Sequence, residues 1–230
     1  MKSALRKYFL LVLLLVPVLA AGQGKVYTRS MRLADFPQKT TKIVLTGQPL
    51  LDARLEEEIT SRWRISPFEF CDEAEYRAQE HGKLYYFLHF TVGTDFTWMI
   101  LSKAGPESGS PLETALEVVS LPIASSDEAT EEELVFLPAF IDIVQEYLLK
   151  SLVKDSMYYR GISGIIHHDR LGMTVCLDRA EGMELFAESA PDTIVPILIY
   201  PGQNARRKRY YFMQVSADNH LLYRYRRRRV

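Results

Sequence analysis

The 230-residue chain has only two cysteines, Cys71 and Cys176, too few for the disulfide framework of a small secreted scaffold. Its twelve glycines follow no period, which excludes a collagen-like repeat. There is no Walker A pattern and no G-x-G-x-x-G after a strand, so no glycine-rich cradle for phosphate is encoded. His-x-x-x-His and Cys-x-x-Cys spacings are also missing, and with them the usual frame of a zinc site. Beyond the leader, no apolar run approaches the roughly 20 residues of a membrane-spanning helix. Internal repeats and low-complexity linkers are absent as well.

What is present is an ordinary globular composition, 47% hydrophobic and 11% aromatic. A chain of about 200 residues buries roughly 70% of its extended surface, so stability requires neither metal nor cofactor, and none is expected.

Residues 1–22 read as a tripartite secretory leader. Lys2, Arg6 and Lys7 precede an apolar run from Tyr8 to Leu19, and the small residues Ala20, Ala21 and Gly22 follow it. The run is too short to anchor in a bilayer, and Pro17 breaks it near its end. Cleavage after Ala20 or Gly22 is expected, leaving residues 23–230 as one exported domain in the periplasm or outside the cell. A division into two subdomains would fall near 105–130. No cysteine lies at the cleavage site to carry a lipid anchor. Export also places Cys71 and Cys176 where a bridge can form. The alternative is two buried apolar residues, as the neighbours Phe68, Phe70, Val175 and Leu177 suggest.

Charge is segregated. The formal total is -1, and loss of the three leader cations makes it -4. From Arg206 onward nine cations (Arg206, Arg207, Lys208, Arg209, Arg224, Arg226, Arg227, Arg228 and Arg229) face the single acid Asp218, giving this end +8 and residues 23–205 -12. Inside a cell, interleaved arginines and tyrosines would point first to nucleic acid. Export sets that aside. The anions it leaves are phospholipid or lipopolysaccharide head groups, acidic glycan, or an acidic patch on an envelope protein or a second copy of the chain. The bland reading is a solvated edge whose arginines prevent aggregation.

The pattern along the chain predicts an α/β fold, with α+β the alternative. Residues 42–46 read as a buried strand. Leu51, Leu55, Ile59 and Trp63 make the apolar stripe of a helix that Ser66-Pro67 should end. Phe68, Phe70 and Cys71 suggest a second strand, and Asp72 with Glu75 has capping-box spacing for a short helix closed by Gly82. Strands follow at 84–92 and 96–102, joined through Gly93-Thr94-Asp95. This β-α-β-α-β-β order favours a partly parallel mixed sheet. Another strand is expected at 116–123. Thr130 and Glu133 have capping-box spacing for one long, buried helix reaching about Val153, which Pro138 should kink or delay. From Met157 on, the pattern reads mostly as strands: 173–177, 194–200, 210–215 and 221–226, the last two a hairpin around Ala217-Asp218-Asn219-His220. Alternation would put Tyr223 and Tyr225 on one face and Arg224 and Arg226 on the other.

Candidate chemistry is sparse. His167-His168-Asp169 could bind metal only if the segment turns, because adjacent strand residues point to opposite faces; a polar loop is the simpler reading. Cys176 with His89, His167 or His168 would make a thiol-imidazole dyad, but its surroundings read as strand interior. Glu131, Glu132 and Glu133 complement a helix dipole. Trp63 reads as core, and Trp98, near a strand end, could line a slot for sugar or peptide.

The run KIVLTG, LLDARLEEEITSRW, SPFEFC, a short helix and LYYFLHFTV resembles, in element order over about 50 residues, the amino-terminal α/β unit of exported envelope proteins such as TolB-type amino-terminal and CsgG-like domains. The resemblance is one of topology and carries over no functional residue. The expected function is therefore a non-catalytic binding or envelope-accessory role, with the basic end as one contact. The alternatives are an exported hydrolase whose carboxylates the sequence does not pair, or a small-ligand or glycan binder.

Overall fold

The computed structural model describes residues 33–229 except 83, 105–115, 128–133, 155–156 and 207. The expected leader, the expected Thr130/Glu133 capping box, the glutamates 131–133 and Arg207 therefore lie outside the described residues.

Strand β1 (Thr41–Val44) is buried along its whole length and sits between β2 (Phe68–Cys71) and β3 (Tyr86–Val92), parallel to both. Helix α1 (Pro49–Arg62) makes the crossover from β1 to β2. Its carboxylate Asp52 folds back to accept from the amides of Thr46 (2.7 Å) and Gly47 (2.8 Å), pinning a turn in which Gly47 takes φ +79°. Leu51, Leu55 and Ile59 are its buried stripe. The helix ends at Arg62, earlier than Ser66-Pro67 requires, because Trp63 leaves the helical conformation to bury its indole and donate to Ser66 Oγ at 3.0 Å.

Helix α2 (Glu73–Gln79) is capped as expected, with Asp72 accepting from the Glu75 amide at 2.7 Å. It lies on the outer face of the sheet, where Tyr76 meets Phe87 and stacks on His89. β3 and β4 (Phe96–Lys103) form a hairpin, and β5 (Leu116–Ser125) completes a five-stranded mixed sheet in the order β2-β1-β3-β4-β5.

Helix α3 (Leu137–Val153) carries Pro138 in its first turn, so the proline delays the start and does not kink the interior. Most of its residues are buried. The segment that follows is not strand: a helical turn at Met157–Arg160 runs into a 3₁₀ helix at Gly161–Ile165. The strand expected at 173–177 shrinks to β6 (Thr174–Val175). Helix α4 (Arg179–Ala187) escapes the periodicity pattern altogether. Then β7 (Thr193–Ile199), β8 (Arg209–Ser216) and β9 (Leu222–Arg229) complete a second sheet in the order β6-β7-β8-β9, with β6 parallel to β7 and the rest antiparallel. In the β8-β9 turn the left-handed residue is His220 (φ +59°), not Asp218 or Asn219.

One apolar cluster joins Ile43, Leu88 and Leu121 of the first sheet, Leu55 of α1, Ile141 and Leu148 of α3, and Val195, Met213 and Leu222 of the second sheet. The two sheets thus share a core around the long helix. Among the described residues, no helix is long and apolar enough to cross a membrane.

The bridge between Cys71 and Cys176 is not made. Both are free buried thiols, Cys71 at the end of β2 and Cys176 just past β6, at edges of different sheets and in different apolar clusters.

Candidate anion-binding face

Strand β9 is the outermost strand of the second sheet. Its register with β8 pairs Gln214 with Arg224, Phe212 with Arg226, Tyr211 with Arg227, Tyr210 with Arg228 and Arg209 with Arg229. Alternation then sorts the arginines. Arg224, Arg226 and Arg228 share the outer face with Tyr210 and Phe212. Tyr225 and Arg227 share the inner face with Tyr211. The expected alternation of Tyr225 with Arg224 and Arg226 is present; Arg228 continues the outer row, Arg227 falls on the inner face, and a register shift next to Tyr223 interrupts the ladder before Arg224.

Arg227 serves the fold. Its guanidinium lies over Phe96 (5.8 Å) and Tyr211 (5.4 Å) and reaches Asp95 at 3.5 Å. It thereby caps an aromatic junction between the sheets, where Tyr211 meets Phe96, Trp98 and Tyr225. Asp95 also accepts, through its carbonyl, from the Gly202 amide at 2.9 Å. Trp98 is half-buried in this junction, edge-on to Phe96, and lines neither cavity described below.

The outer face is different. Among the described residues no carboxylate lies within 4 Å of Arg224, Arg226 or Arg228. Arg224 and Arg228 flank the half-exposed Phe212 ring at 5.9 and 5.6 Å, an arrangement in which ring quadrupole and cation attract. Tyr210 stacks on Tyr200 at 5.6 Å. Arg170, unforeseen in the sequence, donates to the Tyr223 carbonyl at 3.0 Å and joins the cluster from below. Lost hydration, together with the nearby guanidiniums of Arg226, Arg170 and Arg228, pushes Arg224 below its ordinary pKa. Like charges crowded without counterions make a surface that gains free energy when an anion arrives. Arg206 and Lys208 are exposed in the loop before β8, and Arg209 is half-exposed at its first position.

The other candidates resolve into structure. His167 and His168 lie in a loop; His167 Nε2 is 2.7 Å from Glu146 Oε1, and His168 is exposed. Cys176 donates to the Asp178 carbonyl at 3.2 Å and has no histidine among its partners. Among the described residues no three His, Cys, Asp or Glu side chains are placed to hold a metal. A cavity of about 20 Å³ lined by Leu51, Thr97, Ile123, Leu137 and Phe140 is apolar. An open groove of about 710 Å³ runs past Pro37, Trp63, Arg64 and Phe68, and its lining includes no carboxylate, histidine or cysteine.

One polar cluster was invisible in the sequence because its members are far apart. Asp142 on α3 accepts from Arg62 Nη1 at 3.1 Å and lies 2.7 Å from Nδ1 of His220, while Arg62 also binds Glu58 at 2.6 Å. His220 is 6% exposed and stacks on Phe186 at 5.0 Å. This cluster joins α1, α3 and the β8-β9 turn. No family model matches the chain, and no curated protein or solved structure matches it either.

Proposed function

We propose that the protein is an exported, non-catalytic binding protein whose outer β8-β9 face receives an anionic partner in the cell envelope or outside the cell. The observation that carries this reading is the row Arg224, Arg226 and Arg228, interleaved with Tyr210 and Phe212 and without a carboxylate partner among the described residues. Edge protection alone asks only for charge somewhere along the strand and does not call for aromatic rings between the charges. Here an edge strand presents three on one face, next to aromatic rings that add contact area. The leader pattern at residues 1–22 supports delivery to a compartment where the available anions are head groups, acidic glycans and acidic protein surfaces.

The test is equilibrium binding of heparin, as a soluble polyanion, across a salt series. Wild type should bind with an affinity that falls steeply with salt, and Arg224→Ser/Arg226→Ser/Arg228→Ser should bind weakly with a flattened slope. Identical binding by the two proteins would remove this face from the account.

A further inference from the structure

We propose that the anionic partner is a phospholipid leaflet, and that Leu171 and Leu177 enter its interface beside the arginines. This rests on the anion-binding reading above and names its target. The loop 167–174 crosses one end of the second sheet from edge to edge: the His167 amide donates to Leu222 of β9 at 2.7 Å, and the Thr174 amide donates to Asp192 ahead of β7 at 2.8 Å. Midway, the chain reverses. The Met173 amide donates to the Arg170 carbonyl at 3.1 Å, Gly172 adopts φ +80°, and Asp169 is folded back onto the Leu171 amide at 3.1 Å. Leu171 stands at this tip, 94% exposed, next to Arg170, which belongs to the Arg224 cluster.

The second leucine comes from the opposite edge. Cys176 is buried in the core, and its amide continues the ladder to Ile194 at 2.9 Å. In extended chain the residues on either side must point the other way, so Val175 and Leu177 project from the outer face, Leu177 being 83% exposed. The outer face thus has apolar side chains at the β6 edge and at the loop tip, aromatic rings on β8 and guanidiniums on β9. The strands at its two edges are about 14 Å apart at the usual strand spacing.

An acidic glycan would satisfy the arginines but offer nothing apolar to Leu171 and Leu177, which stand 94% and 83% exposed on either side of the cationic face. A leaflet takes both: head groups pair with arginine, the interface accepts Tyr200, Tyr210 and Phe212, and the acyl boundary accepts leucine. Neither contribution alone holds a protein firmly at a membrane, and the two together do.

The experiment is co-sedimentation with phosphatidylcholine vesicles, with and without phosphatidylglycerol, alongside heparin binding. Wild type should sediment with the anionic vesicles and not with the neutral ones. Leu171→Ser/Leu177→Ser should lower partitioning about a hundredfold if both leucines are buried in the leaflet and leave heparin binding unchanged; both side chains are exposed, so folding, checked by circular dichroism, should be retained. Arg226→Ser/Arg228→Ser should lower both, by about fivefold per arginine on vesicles. Unchanged vesicle binding by the leucine pair, or heparin binding by a wild type that ignores anionic vesicles, overturns the lipid assignment and leaves the anion-binding reading standing. Arginine variants that alter neither ligand overturn both.

Discussion

Replacing Asp142 with alanine tests how the basic face is held to the body of the protein. The carboxylate accepts from Arg62 at 3.1 Å and faces Nδ1 of His220 at 2.7 Å. Arg62 is about one-third exposed, so its pair with Asp142 is worth up to about 1 kcal/mol. His220 is 6% exposed, and leaving a buried polar group without its partner costs about 1–3 kcal/mol. Together these predict a loss of about 2–3 kcal/mol, which in a chain of this size lowers the melting temperature by roughly 5–10 °C. Thermal unfolding followed by far-ultraviolet circular dichroism measures it. Asp142→Asn keeps an acceptor and should recover part of the loss. A double-mutant cycle with His220→Ala should give a coupling of about 1 kcal/mol. A melting temperature for Asp142→Ala within about 2 °C of wild type would refute the reasoning, since one buried unpartnered group already predicts more.

Burial opposes ionisation of Asp35, but hydrogen bonds from Lys39, Tyr86 and Lys103 outweigh it and hold the carboxyl at about 2. A depressed acid stabilises the fold above its unfolded pKa, so stability should fall as pH drops from about 4 towards 2, and Asp35→Asn should flatten that part of a denaturation-midpoint profile. Gly182→Ala should destabilise by about 1–2 kcal/mol in urea titrations, although alanine normally favours a helix: its Cβ would stand 2.9 Å from Cδ of Pro196, a ring fixed in β7. Burial pushes the Cys71 thiol up to about 11 and raises Cys176 as well, so both should react slowly with disulfide reagents in native protein at neutral pH. Unfolding without reductant should release two thiols, and finding none would mean that a bridge exists.

The first half of the fold was legible because its local signals agree with its packing. The Leu51-Leu55-Ile59 stripe, the Asp72 cap and the aromatic run at 84–92 each specify one element, and the three-residue turn after Val92 fixes the hairpin. Helix α4 was hidden because its apolar residues form no stripe; its one signal was Asp178 with Glu181 three residues on, whose amide Asp178 does cap at 3.0 Å. Trp63 shows a tertiary override, since burying the indole ends the helix before the proline does. At the candidate site the arginines were evident by count, and alternation placed Arg224 and Arg226 on one face. The diversion of Arg227 to Asp95 was not legible, because it depends on a loop more than a hundred residues away. For the same reason Arg170 and the Asp142 cluster had no signature: Arg170 meets Tyr223 53 residues on, and Asp142 meets Arg62 and His220 from 80 and 78 residues away.

The most direct test of the account is amide hydrogen exchange on the protein, free and bound to phosphatidylglycerol-containing vesicles. Protection is expected along residues 209–229, strongest toward the open end of β9, and in the loop around Leu171. Protection centred instead on the groove at Pro37, Trp63 and Phe68, or on the exposed side of the first sheet, with β9 exchanging as in the free protein, would contradict it.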